Sequence, residues 1–436
     1  MDRLEDLGIR LTRVAVVGAG WAGLAAAVSL ADRGIPATVF EASRSLGGRA
    51  RRVSSEGTDL DNGQHILIGA YRQTLALMRT VGAAPEKLLM RVPLELRFDD
   101  GFHLRAPRLP YPLNLLAALL GARGLNFAQG MAAIRFMSRM RAPRFSIEPD
   151  CSVAQLLEAH EQRGALRRYL WEPLCLSALN TPLTRASAQV FANVLRDGLT
   201  GARENSDLLL PRTDLGLLFP VPAAAFIGAH GGSVEMGVAV RRISRDGTAF
   251  VLDDSPQRFS HVIIACAPQH AAALFDVFPG LDEARRTIES LQYEPIYTCY
   301  LRYPDGVHLP SPMLGLTGPM SQWVFDRGQL SGPKGLLAVV ISASGAHEAL
   351  PQQELAGRIH EELKVALPGL PEPRWTRVIG EKRATFSCTP GLARPAISTP
   401  VQGLYLAGDY TASDYPGTLE AAVRSGLEAA RLIIST

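Results

Sequence analysis

The sequence predicts an α/β protein in which a Rossmann-like dinucleotide-binding domain is interleaved with an α+β substrate-binding domain. Two observations carry this prediction. A strand, a glycine-rich turn, a helix and a second strand occupy residues 14–41, and a second glycine-rich strand-to-helix unit lies near the C-terminus. A chain of 436 residues is long enough for two packed lobes. We therefore expect the first and last units to meet in one domain and the intervening blocks to form the other.

The first unit has the pattern of a βαβ dinucleotide site. Gly18 permits a tight turn, Gly20 lets the backbone approach a pyrophosphate, and Gly23 lets the helix pack closely on its strand. Ala22 falls in the first turn of that helix, whose N-terminus would face the phosphates. Small residues at these positions also suit plain helix–strand packing. The ordered strand, glycines, helix and strand favour the dinucleotide site.

Glu41, followed by Ala42, ends the second strand of this unit and is placed to accept from ribose hydroxyls. Two later segments indicate which dinucleotide binds. The first comes directly after that strand and contains Gly48 and Arg49. In the second, near the C-terminus, a strand runs into the pair Gly408 and Asp409, and a final helix follows.

An extended FAD molecule needs ligands along its whole length. The returning segment offers an acid, Asp409, and a second helix N-terminus at Leu419, whose positive end can face the flavin's N1–C2=O edge. An NAD domain has no use for such a return. The sequence therefore predicts FAD as the cofactor.

These motifs, together with the run Asp61-Asn62-Gly63-Gln64-His65, resemble the amine-oxidase and phytoene-desaturase superfamily of flavoproteins over the whole chain. The resemblance implies that this run passes under the isoalloxazine ring and that the backbone of Val240 reads the adenine. The cofactor-binding residues that it implies are Gly18, Gly20, Ala22, Gly23, Glu41, Ala42, Gly48, Arg49, Gly63, Gln64, His65, Val240, Gly408, Asp409 and Leu419.

The middle of the chain narrows the chemistry. The runs 171–175, 178–182 and 186–191 resemble the helical cap of the bacterial squalene-associated flavoproteins, the hydroxysqualene dehydroxylases. This resemblance implies an FAD-dependent oxidoreductase that reduces hydroxysqualene to squalene in squalene and hopanoid biosynthesis, with a C30 isoprenoid as substrate. Two alternatives stay open: a carotenoid or phytoene-type desaturase, and a prenyl-lipid escort protein without flavin.

Two departures argue against an amine oxidase. Such enzymes place an aromatic residue after the glycine of the last flavin motif, where this chain has Thr418, and a lysine near the flavin, where it has Thr298. For catalysis the candidates are His65, on the loop expected under the flavin, and Tyr415, just before the last helix. Either could donate a proton. Alternatively, His65 binds FAD and Tyr415 packs on the ring.

The predicted domains are discontinuous. We expect the FAD-binding domain to comprise 1–75, 225–285 and 375–436, and the substrate-binding domain to comprise a helix-like block at 76–224 and a strand-like block at 290–374. Within these, 231–234 and 262–265 read as buried strands. A substrate site between the lobes follows.

Charge and cysteine content limit the partners. The net charge of +3 gives no reason to expect nucleic-acid binding, and five scattered cysteines without clustered histidines signal neither disulfides nor a metal site. One dinucleotide fingerprint serves FAD, so the electron donor stays unidentified. The charged N-terminus lacks a signal-peptide core, and we expect a cytoplasmic protein.

The stretch from Leu109 to Ala122 is apolar and uncharged, and arginines surround it. It is too short to span a bilayer, but an apolar face bordered by cations suits peripheral contact with the inner face of the cytoplasmic membrane. The alternative is a buried helix of the substrate lobe with solvated arginines.

Overall fold

The structure, a computed structural model, describes residues 12–55, 57–275 and 278–435. The first eleven residues of the predicted FAD segment 1–75 therefore lie outside the described part of the chain. Two five-stranded sheets organise the fold, one parallel and one antiparallel.

The parallel sheet joins strands from widely separated parts of the sequence. Val14–Val17 lies at its centre, paired on one side with Ala37–Glu41 and on the other with His261–Ile264. Ser233–Met236 and Leu404–Leu406 form the two edges. The central strand is fully buried, as expected for a parallel sheet covered on both faces.

Two helices cover one face of this sheet. The first, Trp21–Ala31, is almost entirely buried, and the C-terminal helix Leu419–Ile434 packs along it. A Cβ atom on Gly426 would overlap the carbonyl oxygen of Ala22, so only glycine allows this close approach. The chain therefore brings its first and last units into one layer.

The antiparallel sheet belongs to the other lobe. Its strand order is Met313–Gly315, Trp323–Asp326, Leu336–Ser342, Tyr293–Arg302 and Trp375–Phe386. The strand Trp375–Phe386 thus lies in the second sheet, although the sequence predicts that the third FAD segment begins at 375. Its pairing with Tyr293–Arg302 continues over nearly its whole length and determines where it lies.

The remaining strands form small ribbons and a three-stranded sheet. These strands are Arg52–Ser55, Thr58–Asp61, Leu67–Ile68, Leu89–Val92, Glu95–Arg97, His103–Arg105, Leu208–Pro211, Ile243–Asp246 and Ala249–Leu252. The remaining α-helices are Arg72–Thr80, Pro85–Leu88, Leu113–Leu120, Phe127–Arg141, Val153–Ala159, Glu172–Leu179, Ala188–Leu199, Leu215–Leu218, Pro220–Ala229, Pro268–Ala271, Asp282–Glu289, Arg327–Leu330 and Gln352–Ala366. Among the helices described, none is both long and apolar enough to cross a membrane.

Two expectations about these blocks need correction. The predicted buried strand at 231–234 is the edge strand Ser233–Met236, in which Glu235 and Met236 are exposed. The strand-like block at 290–374 also contains the helix Gln352–Ala366, whose buried face packs against the antiparallel sheet. The buried residues of this helix are spaced three or four positions apart, which is the pattern of an amphipathic helix. The strand-like runs elsewhere in the block led to a strand prediction for the whole block.

Candidate active site

Three glycines follow the first strand, and only one of them, Gly20, has open space where a side chain would lie. Gly18 has φ +110°, and a Cβ there would lie 2.8 Å from the carbonyl oxygen of Ala265. A Cβ on Gly23 would overlap the carbonyl oxygen of Gly18. A Cβ on Gly20, by contrast, would meet nothing nearer than the Cα of Gly48, at 4.0 Å, and the helix that follows has no side-chain cap. The uncapped N–H groups beside this space fit a pyrophosphate.

Glu41 lies at one end of this turn. Its Oε2 accepts from the backbone N–H of Ala19 at 2.7 Å, and its Oε1 accepts from that of Ser43 at 2.8 Å. Each carboxylate oxygen keeps a further lone pair, which ribose hydroxyls can use. The backbone N–H of Val238 donates to the carbonyl oxygen of Glu41, which brings the segment containing Val240 alongside. The structure thus places together the residues expected at the adenosine end.

The second glycine loop meets the first. The N–H of Gly47 donates to the carbonyl oxygen of Ala19 at 2.9 Å, and Gly48 has φ +63°. Arg49 then donates to the carboxylate of Asp409 and, at 2.7 Å, to the carbonyl oxygen of Ala384. This ion pair joins the N-terminal and C-terminal motifs into one site.

Tyr410 is a buried residue of this site that the sequence analysis did not identify. Its side chain is 1% exposed, and its hydroxyl has no hydrogen-bond partner among the described residues. Burial raises the pKa of Tyr410 far above its ordinary value, and Arg49, Asp409 and Cys266 are close to it. A buried phenol without an acceptor is costly. A phosphate or ribityl oxygen of FAD would supply the acceptor, so the residues present fit the cofactor.

The loop 61–65 is held by contacts from distant elements. Arg327 pairs with the carboxylate of Asp61 at 3.3 Å and donates to the side-chain oxygen of Gln64 at 3.0 Å. Both Asp61 and Arg327 are buried. The hydroxyl of Thr298 accepts from the backbone N–H of Gln64 at 3.3 Å, and Gly63 lies beside it. Thr298 thus lies next to the loop where an amine oxidase would be expected to place its lysine.

His65 forms a hydrogen bond with its own loop. Its Nδ1 lies 2.8 Å from the carbonyl oxygen of Gly63. Because a carbonyl only accepts, Nδ1 carries the proton, and Nε2 of the neutral ring is an acceptor. Burial lowers the pKa of His65 below its ordinary value of 6.5. At neutral pH the ring therefore lacks the second proton that a general acid needs.

Tyr415 belongs to a polar cluster at the start of the C-terminal helix. Its hydroxyl donates to the carboxylate of Asp197 at 2.7 Å, and the guanidinium of Arg424 lies over its ring at 4.6 Å. Burial and the bond to Asp197 raise the pKa of Tyr415 to about 12. Arg394 donates to the backbone carbonyl oxygen of Tyr415 at 2.9 Å. To protonate a substrate, Tyr415 would have to release its bond to Asp197.

The residues around Leu419 organise the helix N-terminus. The hydroxyl of Thr418 accepts from the N–H of Ala421 at 3.2 Å and caps the helix. Glu420 is fully buried and accepts from the backbone N–H and the hydroxyl of Thr74, so its charge caps the neighbouring helix, which begins at Arg72. Thr418 therefore stands, as a cap, where an amine oxidase would present an aromatic residue.

An apolar cavity of about 360 Å³ lies in the second lobe. Its walls are mainly leucines, and four of its lining residues carry polar side chains: Tyr111, Ser138, Arg141 and Thr200. Thr200 follows directly after the helix Ala188–Leu199, which carries Asp197. Leu199 and Thr200 in the cavity wall are therefore only two and three positions from Asp197, which accepts from the hydroxyl of Tyr415. An elongated apolar molecule suits such a cavity.

The cysteines and acidic residues add no further centre. All five cysteines are free, and the described residues contain no group of three metal-ligating side chains close enough to hold an ion. Burial raises the pKa of Cys266 to about 12, so this thiol beside Tyr410 is un-ionised at neutral pH.

Comparisons with known proteins agree with this geometry. The profile of the flavin-containing amine oxidoreductases matches residues 21–434. The hydroxysqualene dehydroxylase of Rhodopseudomonas palustris is 29% identical over 97% of this chain and 98% of its own length. The zeta-carotene desaturase of Capsicum annuum is 24% identical over 97% of this chain and 80% of its own length. A redesigned putrescine oxidase superposes with a TM-score of 0.74 at 19% identity, covering 97% of this chain and 99% of that one, which shows the shared fold.

Proposed function

The chain belongs to the flavin-containing amine oxidoreductase family, and on this basis we propose that it removes the hydroxyl group of hydroxysqualene to give squalene. The family and the site that fits FAD show that the protein is an FAD-dependent oxidoreductase. The choice of hydroxysqualene as the substrate depends on the similarity to a protein named hydroxysqualene dehydroxylase, which extends over 97% of this chain.

The reaction balances with the parts available. The hydroxyl oxygen takes up a proton, the carbon–oxygen bond breaks, and water leaves. A hydride takes the place of the hydroxyl, and FAD, if bound in its reduced form, would supply that hydride and be left oxidised. Because the alcohol is allylic, the positive charge left on carbon is delocalised, and an apolar cavity lined by leucines keeps water from capturing it.

The protein's own groups bind, orient and protonate the substrate. The pair formed by Asp197 and Tyr415 is the better proton source of the two candidates, because Tyr415 carries its proton at neutral pH. His65, without its second proton, donates Nδ1–H to the carbonyl oxygen of Gly63 and so helps to keep the loop in place. The contacts of Arg327 with Asp61 and Gln64 make Arg327 a positioning residue for that loop.

An amine as substrate is not favoured. The aromatic residue and the lysine that the resemblance to amine oxidases would require are replaced by Thr418 and Thr298, both of which are engaged in hydrogen bonds within the protein. Four polar side chains line the apolar cavity, and none of them is a carboxylate that would attract a cationic amine.

A second candidate is the desaturation of a polyene. The similarity to a zeta-carotene desaturase supports it, and the same apolar cavity would suit such a substrate. In that reaction oxidised FAD would take hydride from the substrate, and the electrons would pass to a quinone or to oxygen. A flavin-free escort protein is not favoured, because the Arg49–Asp409 pair and the unpartnered Tyr410 hydroxyl fit a bound cofactor.

The two reactions differ in the redox state that they need. We expect protein reduced anaerobically with dithionite to convert hydroxysqualene to squalene, and oxidised protein to leave it unchanged, with products followed by gas chromatography. Tyr415→Phe should slow turnover by about 100-fold or more if Tyr415 is the acid. Turnover within threefold of wild type would show that it only packs, and His65→Ala then tests the remaining candidate.

A further inference from the structure

One segment of the chain has an unusual charge distribution. Residues 101–147 contain seven arginines and no aspartate or glutamate. Because the whole chain carries a net charge of +3, the other residues together carry −4. A strongly cationic segment on an otherwise weakly acidic protein attracts anions more strongly than the rest of the surface does.

Several of these arginines have no anionic partner in the part of the chain that the structure describes. Arg108, Arg123, Arg139 and Arg144 are exposed, and no carboxylate of the described residues forms an ion pair with any of them. Elsewhere on the chain, exposed arginines such as Arg163 pair with neighbouring glutamates. The unpaired charges are therefore available to an external anion.

Exposed apolar side chains accompany the charges. Ten large hydrophobic residues of the described chain are exposed, and four of them fall within residues 109–127. Leu113 and Leu120 are 53% and 45% exposed on the helix Leu113–Leu120, and Phe127, at the start of the next helix, is 71% exposed. Seven residues apart, Leu113 and Leu120 lie on one face of their helix.

Other residues of the same helix line the apolar cavity. Leu115, Leu116 and Leu119 contribute to the cavity wall, and Tyr111 and Arg141 line it nearby. The guanidinium of Arg141 donates to the hydroxyl of Tyr111 at 3.2 Å. This helix, with two exposed leucines and three that line the cavity, therefore belongs both to the outer surface and to the cavity wall.

We propose that this surface docks on a lipid bilayer that contains anionic lipids. The arginine face is defined here as Arg108, Arg123, Arg139 and Arg144 together with Leu113, Leu120 and Phe127. Its leucines and Phe127 enter the headgroup layer while its arginines bind lipid phosphates. An apolar substrate then passes from the bilayer to the cavity beside the helix Leu113–Leu120. Only this delivery step rests on the proposed function.

Charge favours a bilayer over a second copy of the chain as the occupant. A symmetric dimer through this surface would bring the same arginines of both subunits together, with no acidic residue in 101–147 to offset them. An anionic bilayer is complementary to both the charged and the apolar side chains of the face.

Co-sedimentation of the full-length protein tests the proposal. We expect binding to vesicles of phosphatidylglycerol and phosphatidylcholine, and at least tenfold weaker binding to phosphatidylcholine alone. The triple variant Arg108→Glu, Arg123→Glu, Arg139→Glu should bind the anionic vesicles on the order of 100-fold more weakly. Arg33→Glu, Arg286→Glu, Arg377→Glu makes the same charge change at exposed sites elsewhere and should bind as wild type does.

A second pair of variants separates insertion from simple charge attraction. Phe127→Asp should weaken binding to anionic vesicles about tenfold or more, since a Phe side chain gains that much on burial. Val365→Asp alters a residue that is 82% exposed on the helix Gln352–Ala366 and should have less than a twofold effect. Circular dichroism verifies that all four variants are folded.

Three results would overturn the proposal: no sedimentation of the wild type with anionic vesicles, equal binding of the two triple variants, or equal binding of the Phe127 and Val365 variants. Concentration-dependent self-association that Phe127→Asp abolishes, without vesicle binding, would assign the face to a second copy instead. Because sedimentation needs no turnover, a failure of the proposed reaction would leave these results unaffected.

Discussion

The glycine-rich loops that fit FAD, at Gly18, Gly20, Gly23 and Gly48, are called the FAD cradle here. This cradle and the apolar cavity are built in different ways. The cradle depends on backbone approach. A Cβ on Gly18 or Gly23 would overlap backbone atoms, and one on Gly48 would lie 3.2 Å from the Cα of Gly20, whereas Gly20 leaves open space. The cavity depends on side chains, mostly leucines from several helices and strands. A site made of backbone tolerates few substitutions, whereas a site made of apolar volume tolerates many. Cofactor choice is therefore more strongly constrained in the sequence than substrate choice.

The largest expected effect is the loss of the fold itself. In Gly23→Ala the new methyl group would overlap the carbonyl oxygen of Gly18, and the helix Trp21–Ala31 would have to move from its strand. We expect the free energy of unfolding to fall by about 3 kcal/mol or more, measured by urea denaturation. Gly228→Ala, in a helix where nothing lies within 4 Å of the new Cβ, is the control and should be neutral or slightly stabilising.

The next effect separates the cofactor from the fold. Gly20→Val should leave a folded protein without FAD, because the side chain would fill the space beside Gly48, where a Cβ meets nothing nearer than 4.0 Å. Flavin absorbance of the purified variant measures the loss of FAD, and circular dichroism measures whether the fold is kept. A yellow variant with normal FAD affinity would show that the pyrophosphate does not lie at Gly20.

A smaller effect is expected at Tyr410. Tyr410→Phe should weaken FAD binding about tenfold, the typical worth of one hydrogen bond to a charged group, while apoprotein stability stays unchanged or rises. The hydroxyl has no partner among the described residues, so its removal breaks no hydrogen bond with them. Titration of the apoprotein with FAD gives the affinity. Unchanged affinity would mean that this hydroxyl does not face the cofactor.

The smallest effect is expected in the cavity. Leu174→Met conserves volume in the cavity wall and should change kcat/KM less than about threefold. Leu174→Trp fills part of the space and should raise KM for the isoprenoid without altering FAD affinity. If Leu174→Met were as damaging as a cradle substitution, the contrast between the two regions would be wrong.

Sequence reasoning succeeded where function depends on local backbone motifs. The glycine turns, Glu41, the Gly48-Arg49 pair and Asp409 come together in the structure, and each of them belongs to a motif that consecutive residues reveal. The family assignment and FAD are confirmed by the full-length family match. The individual contacts to FAD and the catalytic roles of His65 and Tyr415 stay predictions.

The residues that the sequence did not reveal depend on distant partners. Arg327 meets Gln64 across 263 positions, and Asp197 meets Tyr415 across 218. No local spacing links such pairs. Tyr410 was the exception, since its place directly after Asp409 could have suggested a cofactor contact. Similarly, the strand Trp375–Phe386 belongs to the antiparallel sheet through its pairing with Tyr293–Arg302, which its own residues do not indicate.

The proposed reaction is the replacement of the hydroxyl of a C30 allylic alcohol by a hydride that reduced FAD would supply. Its most direct test is an anaerobic single turnover of the reduced protein with hydroxysqualene in deuterium oxide, where N5 of reduced flavin carries deuterium. Mass spectrometry should find squalene with one deuterium at the carbon that lost oxygen. Unchanged hydroxysqualene with the reduced protein, together with dehydrogenation of a C30 or C40 polyene by the oxidised protein, would contradict the claim and favour the desaturase.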